Sequence, residues 1–262
     1  EAGHGSSIFG SNPGAILAQV AAPVESLTAM SCFAWLGGGG GQLGLPMPKK
    51  FTYFALKTPV GLPSQFALEV SGLKYEGRSV TMDKWPAVKP TTPNGQLPFA
   101  EMPDGMVLCE SGAIGRTIAG ASGLLGNGKD YMVSEMLLGI TSDFNKKAMD
   151  IAPSVFTVEK FDAVKKQAYQ DGKADVIDFA NSKYEKFLLP EGDRFTKSGL
   201  TFGEIDLFGK LYVHVNGAFP EIKEGKLARF YARMSEVPGI KKVLSGESQF
   251  GPLAEYLIPV PP

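Results

Sequence analysis

The chain has 262 residues, of which 44% are hydrophobic and 20% charged, and its net charge is −1. This length and composition predict a sizeable core in one large domain or two smaller ones. The near-neutral balance, with no cluster of basic residues, argues against a nucleic-acid partner. Cys32 and Cys109 lie far apart, and His4 and His214 are the two histidines. These numbers and spacings favour neither a disulfide framework nor a Ser-His-Asp triad, and no metal site is expected.

The first 50 residues differ in composition from the rest of the chain. Their acidic and basic side chains stand only at positions 1, 25, 49 and 50, and a run of five glycines near their end indicates a linker. Ahead of this run, apolar residues recur at steps of three or four: Ile16, Val20, Val24, Leu27 and Met30. This stripe predicts one or two amphipathic helices that dock on another protein. The alternative is a helix folded back on the chain's own helical domain. Pro23 and Glu25 in mid-segment make a transmembrane span unconvincing.

From position 50 onward the pattern becomes that of a mixed domain followed by helices. The segments KFTYFAL and KYEGRSVTM predict strands on either side of a helix in LPSQFALEVSGL. An irregular stretch leads to a hairpin, LPFAEM and MVLCE around PDG, and then to a helix rich in small residues. From Asp130 to about Gly246 only helical patterns follow. This order predicts an α/β plus all-α fold, a small α/β domain followed by an all-helical one.

Five short motifs occur in a fixed order between about residues 50 and 250. They are the pair Tyr53 and Phe54, WPAVK, PNGQLP, LTFGEIDLF, and FPEIK followed by VPGIKKVL. With these motifs the chain resembles the glutathione S-transferase superfamily, and especially its sigma-like branch of prostaglandin D synthases and S-crystallins. In LTFGEIDLF, Glu204 takes the place of the family's capping aspartate. Each motif alone is weak, but five in the right order are specific.

The resemblance implies a thioredoxin-like domain followed by an all-helical domain, preceded by an added N-terminal extension. The expected boundaries are 1–49 for the extension, 50–127 for the thioredoxin-like glutathione-binding domain and 128–262 for the helical domain. Glutathione is the implied co-substrate, and the family is usually homodimeric.

The resemblance also implies which residues hold the glycine end and the middle of glutathione. Trp85 and Lys89 meet the glycine end, and Gln96 belongs to the same set of binding residues. The Leu97–Pro98 bond is expected to be cis, a form almost confined to X-Pro bonds. The backbone of Leu97 is then free to pair, as a strand would, with the bound tripeptide.

Glu110 and Ser111 open the helix after the hairpin, and two interpretations of this pair remain. One is an ordinary helix N-cap. The other follows from the resemblance: the helix N-terminus holds the γ-glutamyl carboxylate of glutathione, and Glu110 engages its ammonium group.

Tyr53 is the expected catalytic residue. A thiol with an ordinary pKa of about 8.5 is only a small fraction thiolate at neutral pH. A tyrosine hydroxyl aimed at the sulfur favours the thiolate by donating a hydrogen bond to it. The thiolate then attacks an electrophilic carbon, with no metal or acyl intermediate. The alternative is that Tyr53 is a strand aromatic packed in the core.

The loop after Tyr53 departs from the family's pattern. Family members usually carry a basic, glycine-containing turn at this place, whereas this chain reads ALKTPVGLPSQ and keeps only Lys57 basic. Pro59 and Pro63 restrain the loop differently. The departure leaves open whether the chain turns over substrate.

Two functions from different classes therefore remain. The first is a glutathione transferase or glutathione-dependent isomerase. The second is a non-catalytic structural subunit that docks through residues 1–50 on a larger assembly, such as a photosynthetic or respiratory membrane complex. Cysteine usage favours a reducing compartment. A start without methionine favours processing, so the expected location is either the cytoplasm or an organelle such as a plastid or mitochondrion.

Overall fold

The computed structural model describes residues 43–260, which belong to one compact unit, Gly39–Pro262. The predicted docking helices lie outside the described residues, together with their apolar stripe and the glycine run. The docking surface therefore stays a prediction, and so do the three domain boundaries.

Most strands of the described residues lie in one mixed sheet. The strands are Lys50–Phe54 (β1), Leu56–Lys57 (β2), Glu76–Val80 (β3), Phe99–Glu101 (β4), Val107–Cys109 (β5) and Ala254–Glu255 (β6). Four of them form a sheet in the order β3-β1-β4-β5, in which β1 and β3 are parallel and the other neighbours are antiparallel. The aromatic and β-branched side chains of β1 favour the strand, and the three central ones are buried.

Helices make up most of the rest. They are Leu62–Ser71 (α1), Trp85–Val88 (α2), Ser111–Ser122 (α3), Lys129–Met149 (α4), Ala163–Glu185 (α5), Phe202–Asn216 (α6), Ala228–Ser235 (α7) and Pro238–Leu244 (α8). The end of α1 lies at Gly72, whose φ of 64° is the left-handed conformation that often ends helices. The order confirms the predicted fold, a thioredoxin-like sheet domain followed by a helical domain. Within residues 43–260 no helix combines the length and the apolar character of a membrane span.

The helices α4 and α6 approach each other closely at one point. A side chain at position 203 would collide with the backbone of Ser134, so Gly203 permits the contact. The Gly203 N–H also donates a hydrogen bond of 3.0 Å to the Ser134 hydroxyl. This contact fixes the spacing of two helices that line the cleft described below.

Glu204 is fully buried near the start of α6 and holds the loop that precedes the helix. Its carboxylate accepts hydrogen bonds of 2.8 Å from the Phe195 N–H and the Thr196 hydroxyl. It also accepts from the Thr201 N–H at 3.2 Å and from the Arg233 guanidinium of α7 at 3.2 Å. Because a buried carboxylate is costly unless it has donors and a counter-charge, this network makes Glu204 a structural anchor of the helical domain.

The tail of the chain adds an element that was not predicted. The segment KFTYFAL was expected to form one strand, but β1 ends at Phe54, and β2 pairs in parallel with β6. The Ala254 N–H donates to the Ala55 carbonyl at 3.0 Å. The Lys57 ammonium lies 2.6 Å from the Glu255 carboxylate, 198 positions along the chain. The tail therefore anchors the loop that follows β1.

Candidate functional site

One end of the sheet brings together three of the predicted site segments. Phe99 of β4 pairs with Thr52 of β1 on one side and with Cys109 of β5 on the other. Both pairs are antiparallel, so three neighbouring residues lie at the same end of the sheet. They are the residue after Thr52, the residue before Phe99 and the residue after Cys109. These three residues are Tyr53, Pro98 and Glu110.

Tyr53 is buried, with 5% of its surface exposed, and its hydroxyl has a specific partner. The Thr58 hydroxyl donates a hydrogen bond of 2.8 Å to the Tyr53 oxygen and accepts one of 2.9 Å from the Gly61 N–H. Gly61 leaves the space that the Tyr53 ring fills, since a Cβ at that position would collide with the ring. With its oxygen accepting from Thr58, Tyr53 keeps its own O–H proton available for donation.

The protonation of Tyr53 is set mainly by burial. Desolvation raises its pKa to about 12, while the hydrogen bond from Thr58 acts in the opposite direction. The hydroxyl is therefore neutral at physiological pH. A neutral phenol can donate a hydrogen bond to an anion, whereas a phenolate cannot.

Phe54 connects Tyr53 with the first of the predicted binding residues. Its ring centroid lies 5.5 Å from that of Tyr53 and 5.0 Å from that of Trp85, both in edge-to-face geometry. Trp85 is partly exposed at the start of the short helix α2. The predicted thiol donor and the predicted glycine-end residue therefore share one aromatic contact.

Lys89 and Gln96 are exposed on the segment between α2 and β4. The Lys89 side chain passes close to Gly95, next to Gln96. Among the described residues no carboxylate pairs with Lys89, so its ammonium is available to an anionic ligand. The structure thus places both predicted residues beside each other on the surface.

The Leu97–Pro98 peptide bond is cis, as expected. Pro98 is buried and Leu97 is partly buried, directly ahead of β4. Among residues 43–260, no hydrogen bond engages the backbone N–H or carbonyl of Leu97. Both groups are free to pair with an extended ligand.

Glu110 has an unusual backbone conformation at the start of α3. Its φ of 69° and ψ of 117° make it the one non-glycine residue of the described part of the chain with a positive φ. It occupies the N-cap position of α3, but its side chain is exposed and makes no capping hydrogen bond. Non-glycine residues in such conformations concentrate at functional sites. Ser111 follows as the first residue of α3 and is partly buried.

A cleft begins at the start of α3 and continues between α4 and α6. Its volume is about 420 Å³, which lies in the range of small-molecule pockets. Six of the residues that line it are Pro59, Val60, Ser111, Leu138, Asn145 and Lys210. Because Thr58 directly precedes two of them, the partner of the Tyr53 hydroxyl and the wall of the cleft belong to one loop.

The charged side chains of the cleft occur in pairs. On α6, the Lys210 ammonium donates to both Asp206 oxygens, at 2.7 and 2.6 Å. On α3, Arg116 donates to both carboxylate oxygens of Glu135, at distances between 2.9 and 3.2 Å. Burial raises the pKa of Asp206, and the two cations act against this shift.

Four residues of the site were not found from the sequence: Thr58, Arg116, Asn145 and His214. For Thr58, the sequence offered one signal: the loop after Tyr53 departs from the family's pattern. No spacing or periodicity in the sequence identifies the other three as site residues, because each of them contacts a residue on a different helix.

The chain is similar to known proteins over most of its length. The family model described as "Glutathione S-transferase, N-terminal domain" matches residues 64–124. A glutathione S-transferase of Anopheles gambiae is 31% identical over 201 residues, which cover 76% of this chain and 92% of the relative. The solved glutathione S-transferase of Ascaris lumbricoides is 26% identical, with a TM-score of 0.64 and coverage of 75% and 95%.

A prostaglandin synthase D structure from Nilaparvata lugens has the same fold, with a TM-score of 0.64 at 22% identity, covering 76% of this chain and 98% of that one. Together with the five ordered motifs and the cis peptide bond before β4, these similarities confirm the predicted relationship. The chain belongs to the glutathione S-transferase family, with prostaglandin D synthase-type and sigma-class proteins among its relatives.

Proposed function

We propose that the chain binds glutathione at the end of the sheet and joins its thiolate sulfur to the carbon of an electrophile in the adjoining cleft. The observation that supports this most is the register of the sheet, which brings Tyr53, Pro98 and Glu110 to the same end of the sheet. Relatives of the chain are named glutathione S-transferases, which agrees with a glutathione-dependent transferase.

The exposed polar groups match the two ends of the tripeptide. The free ammonium of Lys89, beside Trp85, suits the glycine carboxylate. The unpaired backbone groups of Leu97 suit the peptide unit in the middle. Glu110 offers a carboxylate to the ammonium of the γ-glutamyl end, and the first amides of α3 at Ser111 face its carboxylate.

Tyr53 then promotes ionisation of the thiol. Its hydroxyl is neutral, has its oxygen already engaged by Thr58, and so offers its proton to the sulfur. A hydrogen bond to the thiolate stabilises the charged form and lowers the pKa of the thiol. The family's basic turn is missing, and the Thr58 hydroxyl with the tail strand β6 supports the loop in its place.

Calorimetric titration of the whole chain with glutathione tests the binding. We expect saturable binding, weakened about two- to fivefold by Lys89→Ala, the scale of one exposed ion pair. Lys84→Ala, an exposed lysine five residues earlier in the chain and outside the proposed site, is the matched control and should bind as the parent does. No heat of binding at millimolar glutathione would contradict the proposal.

Turnover separates an enzyme from a non-catalytic subunit. We expect conjugation of glutathione to a simple electrophile such as benzyl chloride, and we propose a homodimer of about twice the 27.9 kDa chain mass. Saturable glutathione binding without measurable conjugation of any electrophile would favour the structural-subunit alternative.

A further inference from the structure

Asparagine is followed by glycine at three places in the chain: Asn94–Gly95, Asn127–Gly128 and Asn216–Gly217. In such a step the asparagine side chain is open to attack by the next backbone nitrogen, because glycine has no side chain to hinder the approach. The three steps have different surroundings. Asn94–Gly95 directly precedes Gln96 of the proposed glutathione site.

The Asn94–Gly95 step lies in the segment between α2 and β4. Asn94 is exposed, and among residues 43–260 no hydrogen bond engages its backbone or the backbone of Gly95. One contact holds the Asn94 side chain, whose Oδ1 accepts a hydrogen bond of 3.2 Å from the Gln96 N–H. The backbone of this step can therefore turn toward the side chain without breaking a backbone hydrogen bond.

The other two steps are held by the helices that they adjoin. Asn216 is the last residue of α6, and its Nδ2 donates to the Tyr212 carbonyl at 2.8 Å and to the Tyr231 hydroxyl at 3.0 Å. Ahead of α4, the Asn127 carbonyl accepts the Asp130 N–H at 3.0 Å. Attack of the backbone nitrogen on the side chain needs local opening of these contacts first.

We propose that Asn94 is a site of spontaneous deamidation, and that the carboxylate formed there pairs with Lys89 and weakens the binding of glutathione. The modification itself does not depend on the proposed function, whereas its effect on glutathione binding rests on it.

The reaction needs water as its one co-reactant. The Gly95 nitrogen loses its proton and forms a bond to Cγ of Asn94, and the carboxamide nitrogen takes up a proton and leaves as ammonia. Water then opens the resulting succinimide ring at one of its two carbonyls, which gives aspartate or isoaspartate. Negative charge develops on Oδ1 during the attack. Because the Gln96 N–H already donates to this oxygen, the hydrogen bond favours the reaction.

The new carboxylate forms beside the ammonium of Lys89. The Lys89 Cε lies 3.9 Å from the position that a Cβ on Gly95 would take, one residue from Asn94. Since Lys89 has no carboxylate partner in the described part of the chain, the new charge meets no competitor there. The glycine carboxylate of glutathione then competes with it for the same ammonium. Isoaspartate also lengthens the backbone by one carbon ahead of Gln96 and Leu97.

Peptide mass mapping of the whole chain after incubation at mildly alkaline pH tests the modification. We expect the peptide that contains Asn94 to gain about 1 Da and to become a substrate for an isoaspartate-specific methyltransferase. Loss of the amide should be at least about tenfold faster at Asn94 than at Asn127 or Asn216. Asn94→Gln, which would have to close a larger and less favourable ring, is the matched control and should keep its amide. Equal rates at the three steps, or no change at Asn94, would overturn the inference.

Asn94→Asp reproduces one product and tests the pairing with Lys89 in the absence of glutathione. NMR titration of the new carboxyl should give a pKa below the ordinary value for aspartate, because the ammonium favours the charged form. Combination with Lys89→Ala should bring this pKa back toward the ordinary value. The same pKa with and without Lys89 would contradict the pairing.

Calorimetric titration with glutathione measures the consequence for the site. We expect Asn94→Asp to weaken binding about two- to fivefold, as Lys89→Ala does, with little further effect when the two changes are combined. Gln170→Glu, which adds the same charge at an exposed position of α5 outside the site, is the control. Unchanged affinity in Asn94→Asp would overturn the effect on binding. If Asn94 deamidates in a chain that binds no glutathione, the proposed function fails and the modification site stands.

Discussion

The Thr58 hydroxyl donates a hydrogen bond of 2.8 Å to the hydroxyl of Tyr53, which lies five residues earlier in the chain. The same oxygen accepts from the Gly61 N–H. Thr58 therefore connects the end of β1 with the start of α1 and leaves the Tyr53 O–H proton available for donation. In a loop that keeps only Lys57 basic, this hydroxyl holds the Tyr53 oxygen and determines the direction in which Tyr53 can donate.

Thr58→Val tests that relationship. Valine keeps the shape but removes the hydroxyl, so Tyr53 loses its donor and the Gly61 N–H loses its acceptor. We expect kcat/KM for conjugation to fall about tenfold, which corresponds to about 1.4 kcal/mol and one hydrogen bond, with glutathione affinity within twofold of the parent. Thr117→Val, on α3 and outside the cleft, is the matched control. An unchanged kcat/KM would show that Thr58 has no part in the reaction.

The conformation of Glu110 predicts opposite effects on stability and on ligand binding. A φ of 69° costs a non-glycine residue about 1–3 kcal/mol, so Glu110→Gly should raise the free energy of unfolding by roughly 1 kcal/mol. Glutathione affinity should fall at least fivefold, because the carboxylate that meets the ammonium is lost. Glu110→Gln should weaken binding similarly without the gain in stability.

The control for the stability effect is Glu76→Gly in β3, where the backbone is ordinary strand and glycine should destabilise. Chemical denaturation and calorimetry measure the two quantities. Equal glutathione affinity in Glu110→Gly and the parent would remove Glu110 from the site.

Glu204 gives a prediction about the fold. Glu204→Gln removes the charge that Arg233 compensates and replaces one accepting oxygen by a donor, inside a fully buried network. We expect a loss of about 3–5 kcal/mol in the free energy of unfolding. Glu236→Gln, which breaks an exposed pair with Lys241, should cost at most about 1 kcal/mol. Similar losses in the two variants would contradict the anchoring role of Glu204.

The sequence predicted those parts of the site that short motifs specify. The local patterns with fixed neighbours are Tyr53 near the end of a strand, a proline before β4 and Glu110 at the start of a helix. The sheet register then brings these positions together, since it follows from the order of the strands in the fold.

Several of the contacts that were not predicted join residues distant in sequence. Asn145 and His214 are 69 positions apart, and Lys57 and Glu255 are 198 apart. Helical periodicity marks both α4 and α6 as helices but does not specify which polar side chains meet across them. The aromatic rings around His214 bury it fully, and its position in a helical pattern does not reveal this.

Burial of His214 predicts how stability depends on pH. Its pKa is about 3 in the folded chain and about 6.5 when unfolded, so between these values the unfolded state binds more protons. The free energy of unfolding therefore falls as pH decreases below 6.5, by about 1.4 kcal/mol per pH unit once His214 is protonated in the unfolded state. Above pH 6.5 the imidazole is neutral in both states and contributes no slope.

His214→Gln removes this dependence and keeps a donor for Asn145. Relative to the variant, the parent should lose about 2 kcal/mol between pH 7 and pH 5 in denaturant titrations. The raised pKa of Asp206 acts in the opposite direction, but it is present in both proteins and cancels in the difference. Parallel pH profiles for parent and variant would contradict a neutral, buried His214.

If Tyr53 lowers the pKa of the glutathione thiol, as we claim, titration of that thiol in the complex will show it. Thiolate absorbance in the near ultraviolet is followed against pH for glutathione bound to the parent chain and to Tyr53→Phe. With its pKa of about 12, Tyr53 itself stays neutral across the titration. We expect the bound thiol to be about 10- to 100-fold more acidic than free glutathione in the parent, and close to free glutathione in Tyr53→Phe. The same thiol pKa in both proteins would contradict the claim.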